Sequence, residues 1–97
     1  MLKIPNTPSE ISSFVKELPK YPGVYKFIGE KKKPLYIGKA KNIKSRVASY
    51  FQRSSQSQKV KNLVHESLVL DITITGSELE ALLLEQHLIK EIRPKFN

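Results

Sequence analysis

Gly23-Val24-Tyr25-Lys26-Phe27-Ile28-Gly29-Glu30-Lys31-Lys32-Lys33-Pro34-Leu35-Tyr36-Ile37-Gly38 is the stretch that decides the fold. Val24 to Ile28 is rich in β-branched and aromatic residues and reads as a strand, and Leu35-Tyr36-Ile37 reads as a second. Gly29 to Pro34 between them is a basic turn, so the two strands form an antiparallel hairpin. With side chains alternating every two residues, Tyr25 and Tyr36 point to the same side of that hairpin, beside each other.

Helical signals flank it. Upstream, Thr7 caps a helix, Pro8 suits its first turn and Glu10 completes a capping box. Ile11, Phe14, Val15 and Leu18 supply its apolar face, and Pro19 ends it. Downstream, Asn42 to Phe51 is helical, with Ile43, Val47 and Phe51 recurring every four residues. Asn42, Arg46, Tyr50 and Arg53 fall on another side, free to face a ligand. Gln52 to Ser57 is polar and loop-like, and Val60, Leu63 and Val64 mark a short third helix. Leu68, Leu70, Ile72 and Ile74 alternate with other residues as in a half-buried strand, and Gly76 ends it. Ser77 and Glu80 cap a last helix that stops at Pro94. The order α-β-β-α-α-β-α predicts an α+β fold, a three-stranded antiparallel sheet with flanking helices, in a single domain over 1–97.

The chain has 97 residues, no cysteine, and a net charge of +8. Such a length supports one small core. The lack of cysteine excludes disulfides and thiolate zinc sites, and fits a reducing cytoplasm. No apolar run is long enough to span a membrane. The charge is concentrated: Lys31, Lys32, Lys33, Lys39, Lys41, Lys44, Arg46 and Arg53 lie in one acid-free stretch, and the rest of the chain sums to zero. A localised basic block is the footprint of a polyanion, nucleic acid first.

The last helix carries one anomaly. Leu79, Leu82, Leu83, Leu88, Ile89 and Ile92 form an apolar stripe, and Glu85 sits within it, its neighbours three and four residues away being Ala81, Leu82, Leu88 and Ile89. A carboxylate in such a place needs a partner. Two are open: a salt bridge to one of the many cations, or a hard metal ion. His65 and His87 are helix-surface residues, too scattered for a histidine metal site. Gly38-Lys39 is not a phosphate-binding loop, because Lys33 and Ala40 stand where that loop needs glycine and Ser or Thr. Nucleophilic schemes lack partners, and two-metal sites need more converging carboxylates than this chain offers.

Gly23-Val24-Tyr25 and Tyr36-Ile37-Gly38, followed by Lys39, Arg46, Tyr50, Glu85 and Asn97, resemble the GIY-YIG nuclease superfamily, most closely the amino-terminal endonuclease domains of UvrC proteins. The likeness runs from about residue 18 to 97 and includes Tyr36-Ile37-Gly38-Lys39-Ala40-Lys41 and Arg93-Pro94-Lys95-Phe96-Asn97. Val24 departs from the usual isoleucine, and the Lys31–Lys33 run is not part of the pattern.

The resemblance implies a metal-dependent endonuclease that makes the 3′-side incision of nucleotide excision repair. One Mg²⁺ or Mn²⁺ would sit on Glu85. Tyr36 would be the general base, Arg46 would stabilise the transition state, and Tyr25 and Tyr50 would orient water or phosphate. A free tyrosine ionises at about pH 10, so Tyr36 needs cations such as Lys39, Arg46 and the metal to favour its phenolate. Lys39, Lys41, Lys44, Arg46, Arg53 and Asn97 would contact damaged duplex DNA. The resemblance also implies a UvrB-like partner, bound through regions beyond this chain. A non-catalytic nucleic-acid-binding module and a stand-alone nuclease of the homing or restriction type are the alternatives.

Overall fold

The structure, a computed structural model, describes residues 1–52, 54 and 56–97. Its elements are β1 (Leu2–Lys3), α1 (Pro8–Lys16), β2 (Gly23–Ile28), β3 (Pro34–Ala40), α2 (Ile43–Tyr50), α3 (Gln58–Glu66), β4 (Val69–Ile74) and α4 (Glu78–Ile92). The sheet has four antiparallel strands in the order β1-β4-β2-β3, where the sequence predicts three. The added strand is two exposed residues pairing with β4, too short to carry a periodic signal.

The hairpin closes through a tight turn. Lys33 N–H donates to the Glu30 carbonyl at 3.1 Å, with Lys31 and Lys32 both in the left-handed region at φ 56° and 57°. A register shift opposite Ile28 makes that residue pair with Pro34, while Phe27 pairs with Tyr36. The extra residue, Leu35, therefore joins the same buried cluster as Tyr36.

Each sheet face has its own core. Tyr25, Phe27 and Leu70 pack against Leu18, Ile43, Val47 and Leu63 on the side covered by the first three helices. Val24 and Ile37 pack against Ala81, Leu84, Leu88, Ile89 and Ile92 of α4 on the other. The apolar stripe of α4 is thus rotated from the expected one. Leu79 and Leu83 stand 64% and 58% exposed, and Ala81 and Leu84 replace them against the sheet. Glu85 lies at the margin of the buried stripe, where a carboxylate can reach the sheet edge. Likewise Leu70 is fully buried in β4, but Leu68 and Ile74 at its ends are nearly half exposed, beyond the helices' cover. Among the described residues no helix is long and apolar enough to cross a membrane.

Candidate active site

Strands β2 and β3 place Tyr25 and Tyr36 on one sheet face, as their spacing predicts, but diagonally: Tyr25 pairs with Gly38 and Tyr36 with Phe27. Their ring centroids are 6.3 Å apart. Gly38 is required by this arrangement, because a Cβ there would fall 2.4 Å from the Tyr25 hydroxyl. Asn42 caps α2, its Oδ1 accepting from Ser45 N–H at 3.1 Å, and Ile43 and Val47 are fully buried beneath that helix. That anchoring turns Arg46 and Tyr50 toward the two strand tyrosines.

The hydroxyls of Tyr25 and Tyr50 are hydrogen-bonded at 2.7 Å, and Arg46 Nε donates to the Tyr25 hydroxyl at 3.4 Å. Arg46 also lies 5.9 Å from the Tyr50 ring centroid. Tyr25 is 1% exposed and Tyr50 7%. The resemblance implies that Tyr25 orients water or phosphate; in the structure its hydroxyl is buried and bonded to Tyr50 and Arg46. Tyr36 is the accessible tyrosine of the three.

Burial pushes the Tyr36 hydroxyl up to about 12, with further contributions from Tyr50 and a smaller lowering from Arg46. Burial also raises Tyr25 and Tyr50. The Tyr25 hydrogen bond holds Arg46 above its ordinary value, so the guanidinium stays charged. The expected lowering of Tyr36 by neighbouring cations is therefore not supplied by the protein's own groups. Desolvation and the adjacent phenol outweigh Arg46.

Glu85 comes from the opposite sheet face and meets this cluster at the outer edge of β3. Its Oε2 accepts from the Lys39 backbone N–H at 2.8 Å, and its charge bears on Tyr36. Among the described residues no cation pairs with it, and the partner they supply is a backbone N–H rather than a salt bridge. One carboxylate oxygen is fixed by the strand, and no described group hydrogen-bonds the other. Among the described residues no three His, Cys, Asp or Glu side chains converge, so any cation here would rest on Glu85 as the single carboxylate.

Lys39 and Lys41 are exposed beside Arg46 in a cleft of about 760 Å³ that wraps the end of β3. Lys44, partly buried on another side of α2, does not line it. Arg53 lies outside the described residues. Asn97 is not free for a ligand in the expected way: its Oδ1 accepts from Ile37 N–H and its Nδ2 donates to the Ile37 carbonyl, both at 2.8 Å. Sequence reasoning missed the part played by backbone groups of Lys39 and Ile37, for which no side-chain pattern gives a signal.

A sequence profile for the UvrC-like GIY-YIG domain matches residues 21–97. The UvrABC system protein C of Aromatoleum aromaticum is 48% identical over 93 residues, covering 96% of this chain and 15% of that protein. The protein of the same name from Neisseria meningitidis is 48% identical over 88 residues, covering 91% of this chain and 14% of its own length. The chain thus spans about one-seventh of the curated relatives it matches. Among solved structures, the GIY-YIG N-terminal endonuclease domain of UvrC from Thermotoga maritima, bound to its catalytic magnesium, superposes with a TM-score of 0.81 at 37% identity, covering 94% of this chain and 99% of that one. The profile takes in both tripeptides, Arg46, Tyr50, Glu85 and Asn97, the residues that the fold gathers around the edge of β3; the chain belongs to the UvrC-like GIY-YIG domain family.

Proposed function

We propose that this domain is a metal-dependent DNA endonuclease that hydrolyses one phosphodiester, on the 3′ side of a lesion in nucleotide excision repair. The observation that carries it is Glu85, a carboxylate held to the edge of β3 by Lys39 N–H at the point where Tyr36 and Arg46 converge. The donor set fits a hard cation: Mg²⁺ or Mn²⁺ accepts a single carboxylate and fills its remaining positions with water and phosphate oxygen. Magnesium occupies the Thermotoga maritima domain, and tyrosine-to-phenylalanine and asparagine-to-alanine point mutants of that domain are bound to its catalytic divalent cation as well. When bound, such an ion supplies positive charge for the phosphoryl and leaving oxygens and acidifies water.

The chain's own groups do the rest. Tyr25 holds Arg46 through Nε, which leaves the terminal guanidinium nitrogens for two phosphate oxygens as charge concentrates on them. Tyr36 would act as the base in its phenolate form: positive charge held at Glu85 would favour loss of the phenol proton to solvent against the burial that keeps it neutral, and the phenolate oxygen would then take the proton of the attacking water. Tyr50 and Tyr25 are positioning residues. Lys39 and Lys41 draw the phosphate backbone toward the edge strand, with Lys44 as an outlying contact and Arg53 as a further cation for the DNA, while Asn97 acts by holding β3 rather than by touching DNA. The partners are damaged duplex DNA and a UvrB-like protein, met through parts that the longer relatives have beyond the matched region, in the cytoplasm.

Nicking of duplex DNA in Mg²⁺ or Mn²⁺ tests the reading with Glu85→Gln and Tyr36→Phe. Glu85→Gln should abolish both cutting and cation binding. Tyr36→Phe should cut at least about 10²-fold more slowly at unchanged DNA affinity, the usual worth of a general base. DNA binding that is indifferent to the cation, without cutting by the wild type, would establish a binding module instead.

A further inference from the structure

The cleft beside the proposed active site has two unlike walls. One carries Lys39, Lys41 and Arg46, and none of these cations has an ion-pair partner among the described residues. The other, the first turns of α4, carries Leu79 and Leu82. Glu78 is its one acid. The two helices lie on opposite faces of the sheet and do not close on each other, so an apolar wall stands open to water across from a row of cations. Leu79 is 64% exposed, while Ala81, Leu84, Leu88, Ile89 and Ile92 of the same helix pack onto the sheet. At about 760 Å³ the space is of the size that takes one small molecule rather than a protein chain.

An occupant that satisfies both walls is anionic at one end and flat and apolar at the other. We propose that the cleft is a nucleotide subsite: it takes the nucleotide next to the scissile phosphate, unstacked, with its phosphate on Lys39, Lys41 and Arg46 and its base against Leu79 and Leu82. This rests on the nuclease reading only in placing the nucleotide next to the cut, since Arg46 belongs to both the cleft and the tyrosine cluster. Apolar side chains, leucine among them, that meet unstacked bases are a recurring device of proteins that open or bend DNA.

The test compares affinity for a short single-stranded oligothymidylate with that for an abasic deoxyribose-phosphate oligomer of equal length. The wild-type chain should prefer the base-bearing strand by about fivefold, no more than the low end of what a base gains on an aromatic ring, because leucine offers apolar area without a π face. Leu79→Ser should erase that preference while leaving abasic affinity unchanged, and Leu79→Phe should restore or exceed it. Because Leu79 is exposed, neither change threatens the fold. Equal affinity of the wild type for the two strands, or a preference untouched by Leu79→Ser, overturns the subsite and leaves the nuclease reading to the cutting assay. A base preference that depends on Leu79 in a chain that never cuts would keep the subsite and remove the nuclease. No measurable binding to either strand would likewise overturn the subsite and leave the nuclease reading to the cutting assay.

Discussion

The side-chain amide of Asn97 takes up both outward-facing backbone groups of Ile37, accepting from its N–H and donating to its carbonyl at 2.8 Å each. Phe96 N–H reaches the Leu35 carbonyl at 2.8 Å, and Glu85 takes Lys39 N–H. Together they cover the outer edge of β3, which would otherwise be an open template for pairing with another chain. The same edge carries Tyr36, so the C-terminal residues set how firmly the site is held.

Asn97→Ala removes two hydrogen bonds and should cost about 1–2 kcal/mol. Amide exchange at Ile37 is the direct readout. Protection there should fall well before global unfolding is affected, and unchanged exchange would mean the edge does not depend on Asn97.

Gly38→Ala should be more damaging than its size suggests. The added methyl would lie 2.4 Å from the Tyr25 hydroxyl and 2.5 Å from its Cζ, so the ring must move and break its contacts to Tyr50 and Arg46. A loss of about 1–3 kcal/mol by chemical denaturation is expected, as for overpacked cores. Cutting should fall further than stability explains. A variant as stable and active as wild type would show that the ring does not rest on Gly38.

Tyr36 should titrate late. In the cation-free chain its phenolate should appear near pH 12 rather than 10 in the ultraviolet difference between wild type and Tyr36→Phe. The sign for stability follows from linkage: the folded value is the higher one, so this contribution is intact below about pH 10 and lost as pH climbs toward 12. At a pH low enough to keep Mg²⁺ from precipitating as its hydroxide, adding the ion should raise the phenolate fraction. A titration insensitive to Mg²⁺ would remove Tyr36 as the base.

The hairpin turn offers an opposite kind of change. Lys31 and Lys32 occupy left-handed conformations that tight hairpin turns usually give to Asn and Gly. Replacing them as Lys31→Asn with Lys32→Gly should stabilise the fold by about 1 kcal/mol. It should also flatten the dependence of log K for DNA on log salt by up to roughly 2, at about 0.9 for each phosphate no longer neutralised. Gained stability with an unchanged slope would place the turn away from the DNA.

Several elements were legible in the sequence because their signals are local. The cap at Thr7, the break at Gly76, the four-residue recurrence of Ile43, Val47 and Phe51, and the alternation that puts Tyr25 and Tyr36 on one side depend only on helical and strand periods. Glu85 could be singled out because a carboxylate among apolar neighbours is costly wherever the helix docks. Tertiary packing decided the rest. The docking angle of α4 exposed Leu79 and Leu83 and moved Glu85 to the stripe's margin, since several faces of a leucine-rich helix can serve as the buried one. It also brought Glu85 to a backbone N–H, buried the Tyr25 hydroxyl against Tyr50, and raised Tyr36 where charge counting predicts a lowering. A sequence shows which charges are present; desolvation and backbone partners exist only once the chain has packed.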